Sequence, residues 1–222
     1  MIARMDFTRR PRVKVCCIQD EDEAWTAIRL GASVLGLVSA MPSGPGVIPE
    51  EAIARIAACV PPGVASFLLT SLRSTAAIAA QHRRLRTSAL QLVDSLESGA
   101  YADLREALPG IGLVQVIHVT GPRSVDDAAS VAASVDAILL DSGNPALAVK
   151  ELGGTGRRHD WALSRRIRES VGVPVYLAGG LRPENVAEAV ESVGPFGLDV
   201  CTGVRTDGRL DPVKLEQFVA AL

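Results

Sequence analysis

The chain has 222 residues, about the size of one large domain, and 48% of them are hydrophobic while 22% are charged. This composition excludes a disordered chain, and the formal net charge of -2 provides no general attraction to nucleic acid or to an anionic membrane. No stretch predicts a membrane span or a secretory signal, so we expect a cytoplasmic protein that has neither nucleic acid nor a membrane as partner.

Short β-branched runs alternate with longer segments of helical period along the whole chain, which is typical of repeated βα units. The first strand is predicted at 13–17 and the first helix at 21–30. The later strands are predicted at 33–38, 64–69, 89–93, 112–119, 136–140, 173–178 and 196–201. The later helices are predicted at 49–59, 73–85, 96–107, 124–134, 160–170, 183–192 and 211–221.

Eight strands and eight helices predict an α/β protein, a single (β/α)8 TIM barrel of parallel strands over residues 13–222. An open doubly wound sheet shows the same alternation, but its usual Gly-rich loop after the first strand is replaced here by CCIQDEDE. Residues 1–12, which include four arginines, are predicted to form a flexible N-terminal arm.

Glycines follow each of the last three predicted strands: Gly153, Gly154 and Gly156 after the sixth, Gly179 and Gly180 after the seventh, and Gly203 after the eighth. In this fold the carboxyl ends of the strands carry the active site, and glycine lets backbone N–H groups approach an anion closely. One such glycine alone more often marks an ordinary turn. Together, three turns at neighbouring strand ends predict a phosphate site.

Two reactive side chains, Cys16 at the end of the first strand and Asp141 at the end of the sixth, are expected to face the barrel mouth. A thiolate can remove a proton from carbon, and a carboxylic acid can protonate a departing oxygen. The alternatives are a buried structural cysteine and an aspartate that turns its own loop. Cys17 is expected to point to the face opposite Cys16, so no disulfide joins them. Neither disulfide nor zinc spacing is present, and no metal site is predicted.

Five segments, in combination and in order, resemble the phosphoribosylanthranilate isomerase family of tryptophan biosynthesis, and the resemblance covers nearly the whole chain from residue 13 onward. They are KVCCIQD at 14–20, LLDS at 139–142, GGTGRRHDW at 153–161, AGGLRPENV at 178–186 and LDVCTGV at 198–204. The resemblance implies an aldose–ketose isomerase, an intramolecular oxidoreductase. Its reaction is the Amadori rearrangement of N-(5-phosphoribosyl)anthranilate to the carboxyphenylamino-deoxyribulose phosphate, which needs no metal or organic cofactor.

The resemblance also implies a role for each matching residue. Cys16 would be the general base at the sugar C2, and Asp141 the general acid at the ring oxygen. The phosphate of a small phosphorylated sugar would bind the backbones around Gly154, Gly179, Gly180 and Gly203. The protein is expected to be a monomer or a homodimer.

The chain departs from the family pattern where the anthranilate would bind. The family motif P-K-S-x-R-Y supplies an arginine for the anthranilate carboxylate, whereas this chain reads MPSGPGVIP and has Pro45 at that position. Arg157 and Arg205, near the mouth loops, are candidate replacements, and Arg73 is a third.

Two further differences lie at the ends of strands one and four. The family glycine after the catalytic cysteine is Cys17 here, and the family sequence Q-L-H-G reads QLVD at 91–94. Asp94 is expected to repel an anionic ring. These departures leave two alternatives: a divergent relative acting on another N-linked phosphosugar, and a non-catalytic barrel that binds a phosphometabolite. Retention of both Cys16 and Asp141 argues against the second alternative.

Overall fold

Eight parallel strands close into a barrel in the computed structural model, which describes residues 10–97, 99–143 and 158–222. The strands are β1 (Arg12–Val15), β2 (Val34–Val38), β3 (Ala65–Thr70), β4 (Ala89–Leu92), β5 (Gly112–His118), β6 (Ala137–Asp141), β7 (Val175–Leu177) and β8 (Gly197–Val200). Each strand pairs with the next, and β8 pairs with β1, where Lys14 lies opposite Asp199. The predicted (β/α)8 barrel is confirmed.

A helix follows each strand and packs on the outside of the barrel. The helices are α1 (Glu21–Arg29), α2 (Glu50–Cys59), α3 (Thr75–Leu85), α4 (Tyr101–Ala107), α5 (Ser124–Ala132), α6 (Trp161–Ser170), α7 (Val186–Val193) and α8 (Pro212–Ala220). Before α8 come a 3-10 helix (Thr202–Val204) and an antiparallel hairpin of β9 (Arg205–Thr206) and β10 (Arg209–Leu210). Among these described helices, none has the length and apolarity needed to cross a membrane.

Aspartate side chains fix the starts of three helices. Asp20 accepts a hydrogen bond from the N–H of Glu23 in α1, and Asp160 and Asp211 accept two each at the starts of α6 and α8. These bonds satisfy N–H groups that have no partner within a helix. They also fix where the preceding loops end, and those loops form the barrel mouth.

Two apolar layers form the core because alternate strand residues point to opposite faces. The outer layer lies between the strands and helices and includes Leu35, Ile53 and Phe218, all fully buried. The inner layer fills the barrel and includes Leu69 and Tyr176. Polar side chains are buried as well, and three of them, Lys14, Gln91 and Asp199, become important at the mouth.

Several boundaries differ from the predictions, and two of them bear on the mouth of the barrel. β1 ends at Val15, so Cys16 and Cys17 follow the strand instead of belonging to it. Helix α4 begins at Tyr101, not at 96, because Arg73 holds the preceding segment: its carbonyl accepts from the N–H of Glu97, and its guanidinium donates to the carbonyl of Ser95. The β9–β10 hairpin was not predicted. Residues 1–9 of the predicted arm lie outside the described residues, and β1 already begins at Arg12.

Candidate active site

A cavity opens at the carboxyl ends of the strands, with about 700 Å³ of space including its mouth. Cys16 and Asp141 both line it, as do Gly179 and Gly180. The structure therefore brings the candidate base, the candidate acid and two of the predicted phosphate-binding glycines around one space. This is the end of the barrel at which active sites of this fold lie.

Cys16 directly follows β1, two residues after Lys14, and both side chains are buried. Its N–H donates to the carbonyl of Val200 at 2.8 Å, which holds it against β8. A β-carbon on Gly36, in the neighbouring strand, would lie 2.9 Å from both the Cys16 Sγ and the Lys14 Nζ. The thiol and the ammonium thus share one small space, which is free because residue 36 is a glycine.

The environment lowers the pKa of the Cys16 thiol. Hydrogen bonding with Cys17 contributes most, burial opposes it, and the positive charge of Lys14 lowers the pKa further. Burial disfavours the charged form of Lys14 too, but the Asp199 carboxylate, 2.8 Å from Nζ, and the nearby thiols keep its pKa above the ordinary value. A charged lysine therefore favours a thiolate at Cys16.

Asp141 ends β6, and the pKa of its carboxyl group is shifted in the opposite direction, upward. Burial raises its pKa, while a hydrogen bond from the Ser142 N–H at 2.7 Å and the nearby His118 lower it in part. Asp199 adds to the rise through its negative charge. A raised pKa favours the neutral acid, the form that can donate a proton.

Cys17 lines the same cavity as Cys16, so the expectation that the two point to opposite faces is wrong. Its φ of 63° is left-handed, a conformation suited to the glycine of the family motif. The Cys201 thiol donates to the Cys17 sulfur at 2.8 Å, and all four cysteines are free. The Cys17 side chain, which stands where the family motif has a glycine, fits because residue 46 is a glycine: a β-carbon there would lie 2.3 Å from the Cys17 Cβ.

The predicted phosphate-binding glycines fall into three groups. Gly179 and Gly180 line the cavity with positive φ angles of 85° and 66°. Gly203 does not appear in the described lining; a β-carbon there would lie 2.0 Å from the carbonyl oxygen of Leu181, so its absence lets the loop after β8 pack on the loop after β7. Gly154 lies outside the described residues.

The described arginines proposed for a substrate carboxylate are engaged elsewhere. Arg205 is buried, forms a 3.2 Å ion pair with Glu23, and donates to the carbonyl oxygens of Cys16 and Cys17. Arg73 lies 3.5 Å from Asp94, whose carboxylate it partly neutralises. None of these residues lines the described cavity, so Asp94 does not face it. Arg157 lies outside the described residues.

Three site residues were missed by sequence reasoning: Lys14, Asp199 and Gln91. Lys14 and Asp199 form the ion pair beneath Cys16, and Asp199 and Gln91 line the cavity. A signal was available for Lys14, because a residue two positions before Cys16 shares its face of a strand. Among the described residues, no cluster of three or more histidine, cysteine or acidic side chains could hold a metal ion.

Comparisons with known proteins agree with this geometry. Residues 13–221 match the model of the family described as N-(5'phosphoribosyl)anthranilate (PRA) isomerase. The N-(5'-phosphoribosyl)anthranilate isomerase of Methanothrix thermoacetophila is 35% identical over 211 residues, which cover 94% of this chain and 96% of the relative.

Solved structures give the same result. Phosphoribosyl anthranilate isomerase from Thermotoga maritima superposes with a TM-score of 0.79 at 28% identity and covers 96% of this chain and 98% of its own. A second structure of such an isomerase, in complex with reduced 1-(o-carboxyphenylamino)-1-deoxyribulose 5-phosphate, has a TM-score of 0.76 at 26% identity with the same coverage. The chain therefore belongs to the N-(5'-phosphoribosyl)anthranilate isomerase family.

Proposed function

We propose that the chain catalyses the Amadori rearrangement of N-(5'-phosphoribosyl)anthranilate, with Cys16 as general base and Asp141 as general acid. The observation that carries the proposal is that these two side chains line one cavity with pKa values shifted in opposite directions. The shift at Cys16 favours the thiolate, and the shift at Asp141 favours the neutral acid. Each group thus tends toward the protonation state that its role requires.

The reaction conserves all atoms of the substrate. Asp141 gives its proton to the ring oxygen as the bond from C1 to that oxygen breaks, and the nitrogen lone pair forms the imine. The Cys16 thiolate then removes the proton from C2, which gives an enolamine. The enolamine gains a proton at C1 and loses one from the C2 hydroxyl group, and the ketoamine results.

Other parts of the cavity support binding of the phosphate. Gly179 and Gly180, after β7, and Thr202, after β8, line one side, and loops after the last two strands often bind phosphate in this fold. Gly203 would act by packing these loops together. The contributions of Gly154 and Arg157 stay predictions, as do the cytoplasmic location and the monomeric or homodimeric state.

The test is turnover of freshly prepared N-(5'-phosphoribosyl)anthranilate, followed by loss of its fluorescence. Cys16→Ala and Asp141→Asn are each expected to lower kcat by about 100-fold or more, the usual contribution of a general acid or base. Cys59→Ala, at the end of α2 away from the cavity, is the matched control and should keep full activity. Absence of turnover by the unmodified protein would overturn the proposal, as would nearly full activity of either site variant.

A further inference from the structure

Two cysteine side chains that the proposed acid–base chemistry does not use meet at the barrel mouth. Cys17 follows β1 and Cys201 follows β8, and the Cys201 thiol donates to the Cys17 sulfur at 2.8 Å. Both residues line the cavity, and both are free thiols. Since a disulfide bond is about 2.05 Å long, the two sulfur atoms need to approach by only roughly 0.8 Å to form one.

Hydrogen bonds hold the two cysteine-bearing segments against each other. The N–H of Cys16 donates to the carbonyl of Val200, the residue before Cys201. Arg205, which comes shortly after Cys201, donates to the carbonyl oxygens of Cys16 and Cys17. Because these bonds keep the two thiols close, their effective concentration is high, and a disulfide between them is favoured over one with another molecule.

The two thiols differ in their access to a small molecule. Cys17 is 5% exposed, and its pKa lies well above the ordinary value because of hydrogen bonds with Cys16 and Cys201 and because of burial. Cys201 is only half-buried. A thiol attacks a disulfide as its thiolate and needs access to it. Cys201 is therefore the thiol that reacts with a molecule at the mouth, and Cys17 is its partner in the protein.

We propose that Cys17 and Cys201 form a reversible disulfide by exchange with a low-molecular-weight disulfide such as oxidised glutathione, and that this bond lowers the reactivity of Cys16. The Cys201 thiolate attacks one sulfur of the small disulfide, a mixed disulfide forms, and one small thiolate leaves. The Cys17 sulfur then attacks the Cys201 sulfur, and the second small thiolate leaves. The protons of both cysteines end on the small thiols. Two protein thiols are thus oxidised, and one small disulfide is reduced to two thiols.

The disulfide would act on Cys16 by removing the Cys17 proton. Hydrogen bonding with Cys17 contributes most to the lowered pKa of Cys16, and a sulfur in a disulfide has no proton to donate. We expect the pKa of Cys16 to rise in the oxidised protein, so that less thiolate is present near neutral pH. Formation of the disulfide is independent of the proposed function, whereas its effect on turnover rests on that function.

The first test counts thiols in the Cys59→Ala protein, which lacks the cysteine outside the cavity. The protein is equilibrated with reduced and oxidised glutathione, quenched with acid, labelled with N-ethylmaleimide in denaturant and weighed intact. We expect oxidation to protect two thiols without adding glutathione, and dithiothreitol to restore them. Adding Cys16→Ala should leave this protection unchanged. Adding Cys201→Ser, or Cys17→Gly, which suits the φ of 63°, should abolish it.

The second test compares the reduced and oxidised forms of the Cys59→Ala protein. The rate of iodoacetamide reaction at Cys16 should shift to higher pH in the oxidised form. Turnover of N-(5'-phosphoribosyl)anthranilate at pH 7 should fall about fivefold or more and recover with dithiothreitol. With Cys201→Ser added, oxidised glutathione should leave both quantities at their reduced values.

Three results separate the parts of this inference. Glutathione adducts alone, or protection that is lost with Cys16→Ala, would overturn the disulfide between Cys17 and Cys201. The expected disulfide with an unchanged alkylation profile would overturn its effect on Cys16. Failure of the unmodified protein to turn over N-(5'-phosphoribosyl)anthranilate would overturn the proposed function, while the thiol count and the alkylation profile would still decide this inference.

Discussion

The pair formed by Lys14 and Cys16 makes thiol reactivity sensitive to a residue that does not line the cavity. The buried ammonium of Lys14 lowers the pKa of Cys16, and Asp199 raises it. Lys14→Met removes the positive charge and leaves the Asp199 carboxylate uncompensated. We expect the pKa of Cys16 to rise, so that less thiolate is present at any given pH and the alkylation profile moves to higher pH.

The measurement is the rate of iodoacetamide reaction at Cys16 against pH, followed by mass spectrometry of its peptide. The double variant Lys14→Met with Asp199→Asn is the control, because it removes both charges of the ion pair. Its thiol pKa should lie below that of the single variant. An unchanged profile in Lys14→Met would exclude an electrostatic role for the lysine.

At the scale of elements, the β9–β10 hairpin joins the last part of the chain to α1. Arg205 of β9 and Glu23 of α1 are both buried, with side chains 6% and 5% exposed, whereas Arg209 of β10 is 55% exposed. We expect Arg205→Met to lower the free energy of unfolding by about 3–5 kcal/mol, because it leaves a buried carboxylate without its main partner. Arg209→Met should cost about 0–1 kcal/mol. Urea unfolding measures both changes in the free energy of unfolding. Equal losses in the two variants would show that the buried pair of Arg205 and Glu23 is not the more stabilising one.

The elements could be predicted from the sequence to the extent that their causes are local. Strand and helix periods predicted all eight βα units, and Asp207–Gly208, with φ angles of 49° and 78°, is the turn signal that could have predicted the hairpin. The start of α4 could not be predicted, because Arg73, from another loop, determines it.

The residues of the candidate site likewise divide into those whose positions have local causes and those whose positions depend on distant parts of the chain. Cys16 and Asp141 could be placed at strand ends from the sequence, since strand ends follow from pattern and fold class. The orientation of Cys17 depends on a left-handed φ, and the place of Gln91 in the cavity lining depends on the closed barrel. Neither property is encoded in local periodicity, so both required the structure.

At the scale of the whole molecule, stability should depend on pH through His159, which precedes α6. Burial lowers its pKa from 6.5 to about 4, although Asp160 opposes this shift. His159 therefore binds a proton more readily in the unfolded chain than in the folded protein. The contribution of neutral His159 to the free energy of unfolding is complete above pH 6.5 and is lost as the pH falls toward 4. At pH 5 the loss is about 1–2 kcal/mol.

Urea unfolding of the unmodified protein and of His159→Gln, at pH 7 and pH 5, measures this contribution. The variant should lose less stability between the two pH values, by about 1–2 kcal/mol. Glu50 also has a lowered pKa, but its ordinary value is 4.5, so its stabilising contribution is lost mainly below this window. An equal loss in both proteins would show that His159 is not the cause.

Because β8 pairs with β1 to close the barrel, the candidate site can form only late in the synthesis of the chain. Cys16 is fixed by β8 and by Arg205, which is 189 residues further along the chain. A ribosome makes the thiol early and its supports late, and contacts between distant residues form slowly because a long loop must close first. The nascent chain thus carries the candidate base as an ordinary cysteine through almost all of its synthesis. The candidate acid–base pair forms only when the two ends of the barrel meet.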